Sequence, residues 1–177
     1  HMGAAFYDDH GQVEHDGHAG VIAPVLVSPK ARGEVTLRSA DPTAKAKILT
    51  NSLTDPEDVA SLVAGMKLAR EIAGQSPLRE KILREMLPGP AVATDEDLEQ
   101  SARERVELIY HPVGTCRMGT GEDAVLDPDL RVRGLKGLRV IDASVFPVIP
   151  GGNTNAPTIM VAERAADLIK DKIAAPA

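Results

Sequence analysis

A short apolar run near the carboxyl end of the chain, Leu138 to Ser144, most constrains the possible fold. Its pattern indicates a buried strand over Leu138 to Asp142 that runs into a turn. A loop with the sequence His-Pro-Val-Gly begins at His111, before this run, and a Gly-Gly-Asn loop over residues 151–157 follows it. Because the two loops flank one short strand, they can bring an imidazole and a carboxamide to the same point. We therefore interpret the rest of the chain as a scaffold for residues 111–170.

The composition limits the classes of protein to which the chain can belong. Its 177 residues suffice for one domain, or for one domain and part of another. A net charge of -6 argues against nucleic acid or an anionic membrane as the main partner. The single cysteine, Cys116, is typical of a reducing compartment, and we expect a cytoplasmic location. We find no run of about 18 apolar residues and no signal peptide.

The first 19 residues are polar and hold four of the five histidines. Their spacing lacks helical periodicity and a nearby cysteine or carboxylate cluster, so we expect a solvated lead-in rather than a metal site. His1-Met2 resembles the remnant of an expression tag, and we expect the chain to be a segment of a longer protein. The acidic residues around Asp127 lack the spacing of a calcium-binding loop and favour turns.

Three strands and three helices are expected before the apolar run. The strands are predicted over Val21 to Ser28, over residues 34–38 and over residues 47–50, with a connection of hairpin length between the first two. The first helix begins at a capping box of Thr54 and Glu57 and ends at Gly74. A second helix is predicted over residues 77–87. A third is predicted from Thr94 to about Leu108.

The last helix is predicted to begin between Asn155 and Pro157. Thr154 or Asn155 can cap it, and its start concentrates free N–H groups and positive potential. Its expected buried face consists of Ile159, Ala162, Ala166, Ile169 and Ile173. Together these patterns predict an α+β fold with a mixed, mostly antiparallel sheet and helices packed on one face.

Three residue types in the region from His111 to Pro157 are suited to catalysis or ligand binding. A neutral imidazole at His111 is a general base near neutral pH, although the local sequence alone favours a structural histidine satisfied by the backbone. Asn153 offers an amide donor and acceptor at the start of a helix. Asp142 ends the predicted strand, where a carboxylate either binds a ligand hydroxyl or forms a turn. Cys116 as a nucleophile is less consistent with the sequence, because no orienting carboxylate is apparent.

These segments resemble the C-terminal part of the glucose-methanol-choline (GMC) family of flavoprotein oxidoreductases. The resemblance lies in the residues of 110–119, 138–144 and 152–160, and the stretches 29–35 and 39–42 are similar to the family's substrate-domain hairpin. It implies FAD as the cofactor and a primary alcohol that is oxidised to an aldehyde. It also implies that His111 takes the hydroxyl proton and that Asn153 is the second active-site residue.

The resemblance further implies that Asp142 and Ala143 lie against the flavin ribityl chain, and Thr154 and Asn155 at its pyrimidine end. The expected organisation is a lead-in over residues 1–19, a substrate domain over 20–136, and a strand and helix of the FAD-binding domain over 137–177. No G-x-G-x-x-G stretch occurs in the chain, so we expect neither tight FAD binding nor turnover by the chain alone. The expected partners are an alcohol, the missing N-terminal FAD-binding domain and a second copy of the chain.

Three alternatives remain open at the level of the sequence. The chain could be a natural subunit that completes a separate FAD-binding polypeptide. It could be a non-catalytic interaction module, although binding alone does not require both His111 and Asn153. A thiol hydrolase acting through Cys116 is the third.

Overall fold

A computed structural model describes residues 1–6 and 8–170 of the chain, which is an α+β protein. Its strands are β1 (Met2–Gly3), β2 (Val21–Ile22), β3 (Glu34–Thr36) and β4 (Lys47–Leu49). Its helices are α1 (Pro56–Ala73), α2 (Asp95–Arg105) and α3 (Asn155–Ile169), with short 3₁₀ helices at Asp9–Gly11, Arg79–Lys81 and Ala143–Val145. None of the helices in the described residues is long and apolar enough to cross a membrane.

The residues group into two compact units. The first consists of His1–Gly33 with Leu49–Glu107, and the second consists of Glu34–Ile48 with the described residues from Leu108 onward. Each unit has its own cluster of buried apolar side chains. All the candidate functional residues lie in the second unit.

The first unit is built around the contact between α1 and α2, and its core consists of Leu53, Val59, Val63, Leu98 and Ala102. The predicted start of α1 is wrong by one residue. The side chain of Asp55, not Thr54, accepts a hydrogen bond from the backbone N–H of Glu57, while the Thr54 hydroxyl donates to the carbonyl of Asn51. The predicted start of α2 is confirmed, since Thr94 and Asp97 form a reciprocal capping box.

The helix predicted over residues 77–87 is absent, and only the 3₁₀ helix Arg79–Lys81 forms there. Ile82 already has extended backbone angles, and the side chain of Leu83 is 99% exposed. A helix of this length is marginal in water unless one of its faces is buried. The apolar residues of the segment supply no such face, so the predicted helix does not form.

The sheets are smaller than predicted, and their pairing differs. β1 pairs with β2 in antiparallel register, with Met2 opposite Ile22, and β3 pairs with β4. The predicted hairpin between the strands at residues 21–28 and 34–38 is therefore wrong, because each strand has another partner. The strand at residues 34–38 is not half-buried either, since Leu37 is 86% exposed.

The second unit packs around six buried side chains: Leu126, Leu130, Val145, Phe146, Val161 and Ala165. The run predicted as a buried strand, residues 138–142, is extended but forms only one isolated bridge, between Arg139 and Arg131. Its backbone bonds to residues 130–132 are too few for a regular ladder. Val140 and Ile141 are partly buried against the core of the unit, whereas Leu138 is exposed.

Helix α3 forms at the predicted position but buries a different face. The buried side chains are Val161, Ala165 and Leu168, and the predicted Ile159 and Ile169 are each 54% exposed. Both sets have helical spacing, so periodicity alone does not select between them. Packing against the core of the second unit, through Val161 and Ala165, selects the observed face. Ile173 lies outside the described residues.

Candidate active site

The second unit contains all six residues that the sequence singled out for catalysis or cofactor binding. They lie on three segments: residues 111–119, which we call the histidine loop; the turn at Asp142 and Ala143; and Asn153, Thr154 and Asn155 at the start of α3.

Backbone hydrogen bonds fix the histidine loop to the turn that follows Asp142. The N–H of Cys116 donates to the carbonyl of Ser144 over 3.1 Å, and the N–H of Met118 donates to that of Val145 over 2.8 Å. Tyr110, directly before His111, has a left-handed φ of 63°. Such a conformation is unfavourable for a residue with a side chain and persists where the surroundings enforce it.

The central contact of the site joins the histidine loop to the start of α3. His111 Nδ1 lies 2.8 Å from Thr154 Oγ1, across 43 residues of sequence. His111 is half-buried, and Thr154 is only 8% exposed. Asn153 directly precedes Thr154, and consecutive Cα atoms lie about 3.8 Å apart. The structure thus brings the imidazole to the segment that bears the amide.

Thr154 occupies the N-cap position of α3, but its side chain makes no cap hydrogen bond. The expectation that Thr154 or Asn155 caps the helix through its side chain is therefore wrong for Thr154, whose hydroxyl bonds to His111 instead. Asn155 is the first residue of the helix. Asn153 and Asn155 are both exposed at this end of α3, where helices carry free N–H groups and positive potential.

The Asp142 side chain caps the 3₁₀ helix Ala143–Val145. Its Oδ1 accepts a hydrogen bond of 2.8 Å from the backbone N–H of Ser144. This is the turn-forming role that the sequence left open beside ligand binding. Asp142 remains exposed, whereas Ala143 packs against the core of the unit.

The structure also tests the interpretations of Cys116 and of the segment around Asp127. Cys116 is half-buried against the core of the second unit, as expected of a small apolar thiol. Asp127 accepts hydrogen bonds of 2.9 Å from the backbone N–H groups of Asp129 and Arg131, so the turn interpretation of this segment is confirmed. The described residues contain no group of three or more histidine, cysteine, aspartate or glutamate side chains that could hold a metal ion.

Sequence reasoning missed the partner of His111. It assigned Thr154 to the cofactor and the cap, and no spacing rule links two residues 43 positions apart. The one available signal was weak: a threonine before a helix has a hydroxyl that must bond either to the helix or to something else.

The model of the family described as GMC oxidoreductase matches residues 29–162. The chain belongs to this family. Among curated proteins, it is 44% identical to the alcohol dehydrogenase (acceptor) of Pseudomonas putida over 173 residues, which cover 98% of the chain and 31% of that relative. It is 48% identical to the oxygen-dependent choline dehydrogenase of Vibrio vulnificus YJ016 over 164 residues, 92% of the chain and 29% of that enzyme.

Solved structures of flavoenzymes share the fold. The pyridoxine 4-oxidase of Mesorbium loti superposes with a TM-score of 0.77 at 29% identity, over 82% of this chain and 28% of that one. A formate oxidase variant of Aspergillus oryzae RIB40, studied for its effect on FAD modification, superposes with a TM-score of 0.78 at 27% identity. The match covers 93% of this chain and 29% of that one. The GMC chain described here thus spans less than a third of each of these relatives.

Proposed function

We propose that the chain is the C-terminal part of an FAD-dependent alcohol dehydrogenase or oxidase that converts a primary alcohol to an aldehyde. The observation that supports this most is the contact between His111 and the segment of Asn153 in a chain of the GMC family. The names of the relatives from Pseudomonas and Vibrio support an alcohol as the substrate class.

His111 takes the proton of the substrate hydroxyl in this proposal. The O–H bond of the alcohol breaks and an N–H bond forms on the imidazole, so that no positive charge remains on the oxygen once the hydride has left the carbon. Asn153 donates a hydrogen bond through its side-chain amide to the same oxygen. The amide thereby fixes the position of the alcohol relative to His111.

The exposed groups around the start of α3 suit a flavin. Asn155 offers an amide, and the first turn of the helix offers positive potential that favours an anionic ring edge. Thr154, Asp142 and Ala143 complete the set that would hold the cofactor. FAD, when bound, accepts the hydride that leaves the alcohol carbon. We assign residues 20–136 to the substrate domain and 137–177 to the FAD-binding domain, beside a lead-in over residues 1–19.

The chain alone should neither bind FAD tightly nor turn over an alcohol, because most of the length of its relatives is outside it. Isothermal titration of the chain with FAD should show no binding in the micromolar range. Micromolar or tighter binding would contradict this assignment. A cytoplasmic location remains a prediction from the single cysteine.

The role of His111 is tested by anaerobic stopped-flow reduction of the flavin in the full-length enzyme that contains this segment. His111→Ala should slow reduction by about 100- to 10,000-fold, the usual contribution of a general base. His18→Ala is the matched control, since this histidine is exposed and in the other unit, and its rate should equal that of the wild type. An unchanged reduction rate in His111→Ala would refute the proposed role.

A second candidate is a natural subunit or non-catalytic module that completes a separate FAD-binding chain. It is favoured by the exposed apolar side chains of α3, Ile159, Met160 and Ile169, which are all more than half exposed. Burial of each side chain contributes about 1.5–3 kcal/mol, which also favours self-association. Co-expression with an FAD-binding polypeptide should give a stable complex if the chain is a subunit. Light scattering of the chain alone should detect a dimer if it self-associates.

A further inference from the structure

The hydroxyl of Thr154 is diverted from its usual role. Threonine at a helix N-cap normally accepts a hydrogen bond from an N–H of the first turn. Here Thr154 makes no such bond, and its Oγ1 lies 2.8 Å from His111 Nδ1. Because a side-chain cap would stabilise α3, the bond from this hydroxyl to a histidine in its place indicates a functional role for that bond.

Helix α3 holds this hydroxyl in place. The carbonyl of Thr154 accepts hydrogen bonds from the Thr158 hydroxyl over 2.7 Å and from the Thr158 N–H over 3.0 Å. Thr154 is itself 8% exposed, and Val161 and Ala165 anchor the helix in the core. The orientation of the imidazole is therefore set by α3 as well as by the histidine loop.

The two nitrogens of an imidazole have different roles when one of them is engaged. Because Nδ1 is bonded to Thr154, Nε2 is the nitrogen left to meet a substrate. A hydroxyl can accept a bond from Nδ1–H or donate one to a bare Nδ1. Only the first arrangement leaves the lone pair of the neutral ring on Nε2.

We propose that Thr154 is a positioning residue that accepts a hydrogen bond from His111 Nδ1–H and so keeps Nε2 as the proton acceptor. This inference rests on the proposed function and identifies the reacting nitrogen. When the alcohol O–H bond breaks, the new N–H bond forms at Nε2. The proton on Nδ1 stays on that nitrogen, hydrogen-bonded to Thr154, so the threonine neither gains nor loses a proton.

The tautomer of His111 can be measured directly by NMR on the chain labelled with ¹⁵N-histidine. Long-range ¹H–¹⁵N correlations of the neutral ring distinguish Nδ1–H from Nε2–H. The His111 signals are those missing in His111→Gln. The wild type and Thr154→Ser should show Nδ1–H, whereas Thr154→Val should shift toward Nε2–H, the form that dominates in unconstrained histidine side chains. Valine keeps the branched shape of threonine and replaces only the hydroxyl by a methyl group.

The full-length enzyme supplies the kinetic readout. Thr154→Val should lower kcat by up to about 100-fold with little change in KM, because a displaced base affects the reaction more than binding. Thr154→Ser should recover most of the loss. A merely structural role would not predict rescue by serine together with a changed tautomer in valine.

Two outcomes would overturn the inference. One is an Nε2–H tautomer in the wild type, which requires no variant to fold. The other is an unchanged tautomer in Thr154→Val. Either result would leave the proposed function standing if His111→Ala still slows flavin reduction by the factor given above. A His111→Ala enzyme that reduces its flavin at the wild-type rate would instead refute the proposed function, whatever the tautomer.

Discussion

Replacement of Gly114 by alanine should destabilise the second unit through two separable effects. Gly114 has a φ of +89°, and an added Cβ would lie 3.3 Å from the carbonyl oxygen of Phe146. The left-handed backbone costs a residue with a side chain about 1–2 kcal/mol. Alanine also reduces the conformational freedom of the unfolded chain, which stabilises the folded state by about 0.4–1 kcal/mol. The tight contact with Phe146 destabilises it by about 1 kcal/mol. The expected net loss is about 1–3 kcal/mol.

Gly134→Ala is the matched control. Gly134 has a similar φ of +79°, but an added Cβ would have nothing within 4 Å. The difference between the two variants therefore isolates the contact with Phe146. Equilibrium urea unfolding measures both free energies of unfolding, and Gly114→Ala should be the less stable by about 1 kcal/mol. Equal stabilities would contradict the close approach of the histidine loop to Phe146.

Three further predictions concern the first unit. The N–H of Thr94 and the other donors at the start of α2 hold the pKa of Asp97 below its usual 3.8. The Asp97 carboxylate therefore stabilises the folded chain at pH values above 3.8, and this contribution is lost as the pH falls through the lower pKa of the folded state. Asp97→Asn should make the free energy of unfolding depend less on pH in this acid range, and an unchanged pH dependence would count against the prediction. The carboxylate of Asp58 is 5% exposed and accepts hydrogen bonds from two backbone N–H groups. Asp58→Asn should therefore lower the free energy of unfolding measured in urea by about 2–3 kcal/mol. An added Cβ at Gly65 would lie 2.6 Å from Cβ of Pro24. Gly65→Ala should therefore destabilise the unit by up to about 2 kcal/mol, although alanine has the better helix propensity. A gain in thermal stability would refute this contact.

Local signals predicted the elements that local interactions stabilise. Thr94 and Asp97 form their capping box because both partners lie within one turn, and Gly74 ends α1 as expected. The helix predicted over residues 77–87 is absent, because exposed side chains such as Leu83 leave the segment without tertiary support. Periodicity therefore predicts a helix only where another element covers its apolar face.

Long-range pairing was the part that the sequence could not supply. The partner of β2 is β1 rather than the nearby β3, and the buried face of α3 follows Val161 and Ala165 rather than Ile159. In both cases several partners satisfy the same local pattern, and packing selects one of them. The candidate site shows the same limit: His111 and Asn153 were chosen from motifs, but no motif indicated the hydroxyl that contacts the imidazole.

We propose that the imidazole of His111 and the amide of Asn153 act on one substrate oxygen. The most direct test is a double-mutant cycle on the anaerobic flavin-reduction rates of the full-length enzyme, with His111→Ala, Asn153→Ala and the double variant. If both groups act on the same oxygen, the double variant should be little slower than His111→Ala alone. Losses that simply multiply would mean that the two residues act independently and would contradict this account.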